Sequence, residues 1–114
     1  MNIEPNGMKL QDCVIRALSL GLNIPYFNIV KMLNDNSKKY CCDSINIKCY
    51  EKLLEDLGYS KQKANSSIKH VALSHPNSTL IIRMNGHLTC SIKGCVYDIW
   101  DCTNEKADCY WIIN

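Results

Sequence analysis

The chain has 114 residues, 46% of them hydrophobic and 21% charged, the balance of a folded domain rather than a disordered segment. That length suits a single domain over residues 1–114, because a second would lack the sequence to build its own core. Thirteen basic residues against eleven acidic ones leave a net charge of +2, which gives no reason to expect a nucleic acid or an anionic membrane as partner.

The small basic clusters Lys38–Lys39 and Lys61–Lys63 read as solvated surface. No stretch is long and apolar enough to span a bilayer, and the residues from Met1 to Gly7 lack the regions of a signal peptide. A cytoplasmic location is therefore expected, and with it reduced thiols for the eight cysteines. No C-x-x-C pair occurs, and the spacing of Cys41, Cys42, Cys49, Cys90, Cys95, Cys102 and Cys109 fits no zinc knuckle or ribbon. Neither a metal nor an organic cofactor is expected. Most of these thiols read as small buried hydrophobes.

In chain order, Asp12 is placed to cap a helix that begins at Cys13, carries Val14, Ala17 and Leu18 on one face, and stops at Gly21. A second helix is expected from Pro25, with Phe27, Val30 and Leu33 as its buried stripe. Residues Asn34 to Asp43 read as a polar loop, a place where substrate choice can reside. A third helix, capped by Asp43 or Ser44, buries Ile47, Tyr50, Leu53, Leu54 and Leu57 and closes at Gly58. After a polar connection Ser67 can cap a short helix bearing Ile68, Val71 and Ala72, and His75-Pro76-Asn77-Ser78 signals a turn.

The period then changes. Thr79–Met84, His87–Ile92, Cys95–Trp100 and Cys109–Ile113 are short runs rich in β-branched and aromatic residues, with Lys93-Gly94 as a hairpin turn. Helices followed by a meander of antiparallel strands define an α+β fold. Trp100 and Trp111 are expected to cover the sheet, and His70 and His75 to be solvated.

Thiol hydrolysis needs an activated cysteine, a histidine to carry its proton, and a third polar group to hold the imidazole. A helix start favours a thiolate through its partial positive charge, and Cys13 is expected there, partly exposed in a cleft. A position both mid-helix and fully buried would sink the nucleophile assignment. His87 opens a strand and Asp98 lies on the next. With a two-residue Lys93-Gly94 turn, Ile92 pairs with Cys95, and Asp98 shares the face of His87 one diagonal step away. A three-residue loop with a bulge would bring Asp101 there instead. Each residue also has a plainer reading: a buried thiol at Cys13, a sheet-edge hydrogen bond at His87, a turn cap at Asp98. Arg16 reads as a structural ion-pair donor.

The segments Gln11-Asp12-Cys13-Val14-Ile15-Arg16-Ala17-Leu18 and Gly86-His87-Leu88-Thr89-Cys90-Ser91-Ile92-Lys93-Gly94-Cys95-Val96-Tyr97-Asp98-Ile99-Trp100 resemble the papain-like superfamily in its small bacterial and phage forms. That superfamily includes NlpC-type cell-wall peptidases, bacteriocin-processing leader peptidases and transglutaminase-like domains. The resemblance implies N-terminal helices packed on a small antiparallel sheet, with Cys13 as nucleophile, His87 as general base and Asp98 as orienting residue. Papain and the leader peptidases carry a glutamine several residues before the nucleophile as oxyanion donor. Gly7 stands at the matching distance, so Asn6, Gln11 or the Cys13 amide are the candidates here. The expected activity is an intracellular cysteine hydrolase acting on a peptide or protein amide, with acyl transfer as a possible outcome. The alternative is a non-catalytic module on the same frame, such as a phage-encoded inhibitor of a host protein. A zinc-stabilised interaction domain would require metal to copurify in stoichiometric amount.

Overall fold

A computed structural model describes the backbone of residues 5–40, 47–98 and 101–114, and the side chains of residues 13–40, 47–98 and 101–114. Helix α1 spans Pro5–Leu22, α2 Tyr26–Tyr40, α3 Ile47–Asp56 and α4 Ile68–Ser74; the strands are β1 Lys61–Lys63, β2 Thr79–Met84, β3 His87–Ile92, β4 Cys95–Tyr97 and β5 Ala107–Ile112. The strands form one antiparallel sheet in the order β1-β5-β2-β3-β4. The fold class is α+β.

Helix α1 begins at Pro5, so Cys13 lies two turns inside it and Asp12 is not its cap. The physical reason is upstream. Pro5 has the φ that a first helical turn requires, and Met8, Lys9, Leu10 and Gln11 are good helix formers that carry it into the apolar stripe. The other end also differs from expectation. The helix runs one residue past Gly21, and Asn23, at φ 56°, takes the left-handed position. The Ile24 amide then bonds back to the Ser19 carbonyl at 3.1 Å, closing a Schellman motif. Gly21 serves packing instead: a Cβ there would stand 2.3 Å from Ile81 Cδ1.

Helix α2 continues through residues expected to be a loop, as far as Tyr40. Lys38 and Lys39 complement its C-terminal dipole, Tyr40 Oη donates to Asp56 Oδ2 at 2.7 Å, and the Cys49 thiol donates to the Leu33 carbonyl. Tertiary contact thus overrides the weak helix propensity of Asn34, Asp35 and Asn36. The buried stripe is Ile29 and Leu33, whereas Phe27 is 82% exposed. The α3 caps foreseen at Asp43 or Ser44 lie outside the described residues. That helix buries Cys49, Tyr50, Leu53 and Leu54 but leaves Ile47 and Leu57 outside, and it ends as expected at Gly58, with φ 96° and a Tyr59 amide bonded to the Leu54 carbonyl. Ser67 caps α4 by accepting from the His70 amide at 3.2 Å.

The strands do not form the expected simple meander. β2, β3 and β4 are consecutive hairpins, but β5 crosses back to pair with β2, and β1, unforeseen in a polar connection, pairs with β5. Side-chain alternation divides the core in two. Ile81, Leu88, Cys90, Cys109 and Trp111 pack against α1, α2 and α3. Leu80, Ile82, Met84 and Ala107 pack with Ile68 and Val71 of α4. Trp111 is buried edge-to-face on Tyr50, while Trp100 lies outside the described residues. His75 is not simply solvated: its Nδ1 lies 3.2 Å from the Val71 carbonyl and its ring stacks on Tyr110. No single helix among the described residues is long and apolar enough to cross a membrane.

Candidate functional site

The site is set by the β3–β4 hairpin. Lys93 and Gly94 both have positive φ, 51° and 81°, as a tight two-residue turn matching the sheet's twist requires. Ile92 therefore pairs with Cys95, Ser91 with Val96 and Cys90 with Tyr97. Continuing that register sets Thr89 opposite Asp98, with His87 the diagonal neighbour on the same face. His87 Nε2 lies 2.5 Å from Asp98 Oδ2. Asp101 is elsewhere: it is exposed and accepts from the Thr103 amide at 3.1 Å and hydroxyl at 2.5 Å. Those bonds, the hydroxyl's foremost, hold its carboxyl below the usual carboxylate range.

Cys13 is close enough to His87 to favour its protonated form alongside Asp98. With Nε2 given to Asp98, Nδ1 is the ring nitrogen left for a second partner. Burial works against protonating the ring, but hydrogen bonds with Cys13 and Asp98 and the charge of both outweigh it, so the His87 pKa lies above its ordinary 6.5. Arg16, one helical turn after Cys13, brings Nη2 to 4.0 Å from Asp98 Oδ1. The Asp98 side chain is only 5% exposed, so this guanidinium is the charge that balances a buried carboxylate.

Cys13, Arg16, Thr89 and Asp98 line a cleft of about 810 Å³ together with Leu20, Tyr26 and Tyr97. Cys13 itself is 4% exposed and mid-helix, not partly exposed in a first turn. An interior helix amide is committed to the carbonyl four residues earlier, so the Cys13 amide is not the free oxyanion donor a helix start would provide. Asn6 and Gln11, the other oxyanion candidates, fall on α1, and their side chains lie outside the described residues.

Two groups without a recognisable signal in the amino-acid pattern complete the site. The Cys102 thiol, fully buried, lies 3.8 Å from Asp98 Oδ2. Burial and the Asp98 charge push its pKa up, and the nearby Thr89 hydroxyl acts the other way. Thr89 Oγ1 is itself buried without a hydrogen bond of ordinary geometry. His87, Asp98 and Cys102 hold their ligand-type atoms within 4.8 Å of one another, so a metal ion could be held here despite the lack of metal-site spacing in the sequence. No family model, curated protein or solved structure matches the chain.

Proposed function

We propose that the chain is a papain-like cysteine hydrolase that cleaves a peptide or isopeptide amide in the cytoplasm, with transfer of the acyl group to an amine as an alternative to hydrolysis. The observation that carries this reading is the position of His87, in contact with Asp98 and electrostatically coupled to Cys13, a residue that lines the cleft. Cys13 Sγ attacks the carbonyl carbon as its proton passes to His87 Nδ1. Asp98 holds the ring from Nε2 and balances the imidazolium, and Arg16 holds Asp98. The tetrahedral adduct expels the amine, which leaves with the proton from His87. Water, deprotonated by the same nitrogen, then releases the acid and restores the thiol.

Cys13 is mid-helix but not sealed, since it lines the cleft wall. Its committed amide means that the oxyanion donor must come from elsewhere. That same fact favours the second reading, a non-catalytic binding module on this frame. Profiling with cysteine-directed electrophiles and fluorogenic peptide amides separates the two. The hydrolase gives turnover that Cys13→Ala abolishes, whereas the module gives none with either protein.

A further inference from the structure

We infer that His87, Asp98 and Cys102 form a binding site for a single zinc ion. The metal site does not rest on the hydrolase reading.

The three residues supply an imidazole nitrogen, a carboxylate oxygen and a thiol sulfur, a set that suits zinc and discriminates against magnesium and calcium. Ligand atoms around a tetrahedral zinc stand roughly 3.3–3.8 Å apart, given bonds of about 2.0–2.3 Å. The 3.8 Å between Cys102 Sγ and Asp98 Oδ2 already matches one edge. The 2.5 Å between His87 Nε2 and Asp98 Oδ2 has to open by just under 1 Å, a small side-chain adjustment by the same geometry. All three groups are largely buried. Cys102 is fully buried, the Asp98 and His87 side chains are 5% and 11% exposed, and Arg16 Nη2 lies 4.0 Å from Asp98 Oδ1. Asp98 and Thr89 border the cleft, so the fourth position can be filled by water from it. On binding, the Cys102 thiol gives its proton to solvent as the zinc–sulfur bond forms.

The test uses reduced, chelator-stripped protein titrated with zinc chloride in competition with a chromophoric chelator. One zinc per chain is expected, with Cys102→Ala and Asp98→Asn each weakening binding at least tenfold, and Cys95→Ala, an exposed thiol, leaving it unchanged. Cobalt titration reports the sulfur ligand by a thiolate charge-transfer band that Cys102→Ala removes. Near-ultraviolet circular dichroism confirms that each variant is folded, and loss of fold in one leaves the other to decide. Binding unchanged in both Cys102→Ala and Asp98→Asn, or no stoichiometric zinc in the wild type, overturns the site. A protein without hydrolase activity can still pass the metal test.

Discussion

His87 and Asp98 meet across a hairpin whose register is fixed by two residues, Lys93 and Gly94, both in the left-handed region. Because the turn holds two residues rather than three, the acid that meets the ring is Asp98, and Asp101 is left to organise its own loop through Thr103. The side-chain contact is thus a consequence of turn geometry four residues before Asp98.

Asp98→Asn should lower any turnover dependent on Cys13 by roughly 10²–10⁴-fold, since an amide can neither fix the same tautomer nor balance the imidazolium. Asp101→Asn should leave it within about twofold, because its bonds stay within its loop. Initial rates of amide hydrolysis for the two variants, measured side by side, check this. Equal losses in both would mean that the hairpin register does not govern the site.

This hairpin was the part of the protein most legible in the sequence, because Lys-Gly between two β-branched runs admits few alternatives. What lay hidden was decided by tertiary contact. Asp12 is the exception, since the signals that make it an interior helical residue, Pro5 and the good helix formers after it, are local and simply lie upstream of the apolar stripe. Gly21 looked like a helix stop, and only the proximity of Ile81 shows it to be a packing residue. Likewise Asn34–Asn36 are poor helix formers held in α2 by its packing on α3. Cys102 could not have been joined to His87 by spacing, because the segment connecting β4 to β5 brings it back under the sheet.

Gly21→Ala should destabilise the protein, although alanine is the better helix former by about 1 kcal/mol. The new methyl would overlap Ile81 Cδ1 at 2.3 Å and crowd Cγ1 at 3.2 Å, inside a core where Ile81 is fully buried. Overpacking of this kind costs about 1–3 kcal/mol, so after the helix-propensity gain the net loss reaches up to roughly 2 kcal/mol. Urea unfolding at constant m-value measures it. A rise in the midpoint would show that α1 can move off the sheet at little cost.

The pKa of His87 predicts a pH-dependent stability with a definite sign. Burial disfavours the proton, but Cys13 and Asp98 together favour it more, so the folded value lies above the unfolded one. The groups facing the ring are Cys13 and, through Asp98, Arg16 and Cys102. A raised value means stabilisation that is fully present below the unfolded pKa of about 6.5 and lost as pH rises through the folded value. The gap in urea midpoint between the wild type and His87→Gln should therefore be widest in mild acid and narrow toward alkaline pH. A gap that widens with pH would contradict the proton-holding role of Cys13 and Asp98.

The last expectation concerns which thiol reacts first. Exposure alone favours Cys95, which is at the surface, over Cys13, which is 4% exposed, and over the buried Cys49, Cys90, Cys102 and Cys109. Burial also raises the pKa of Cys90 to about 12 and pushes Cys102 and Cys109 up, so none of these three competes near neutral pH. Cys13 differs from them by its coupling to an imidazole base, His87, and by lining the cleft. If His87 takes its proton, Cys13 should be alkylated faster than Cys95 in mildly acidic solution, where an ordinary thiol of pKa about 8.5 is almost wholly protonated. His87→Gln should then reverse the order, slowing Cys13 by at least tenfold while Cys95 keeps its rate. Brief iodoacetamide pulses at graded pH, followed by peptide mapping, resolve the two sites within one sample. If Cys95 leads at every pH and His87→Gln changes neither rate, then burial governs Cys13, and the binding-module reading takes the place of the hydrolase.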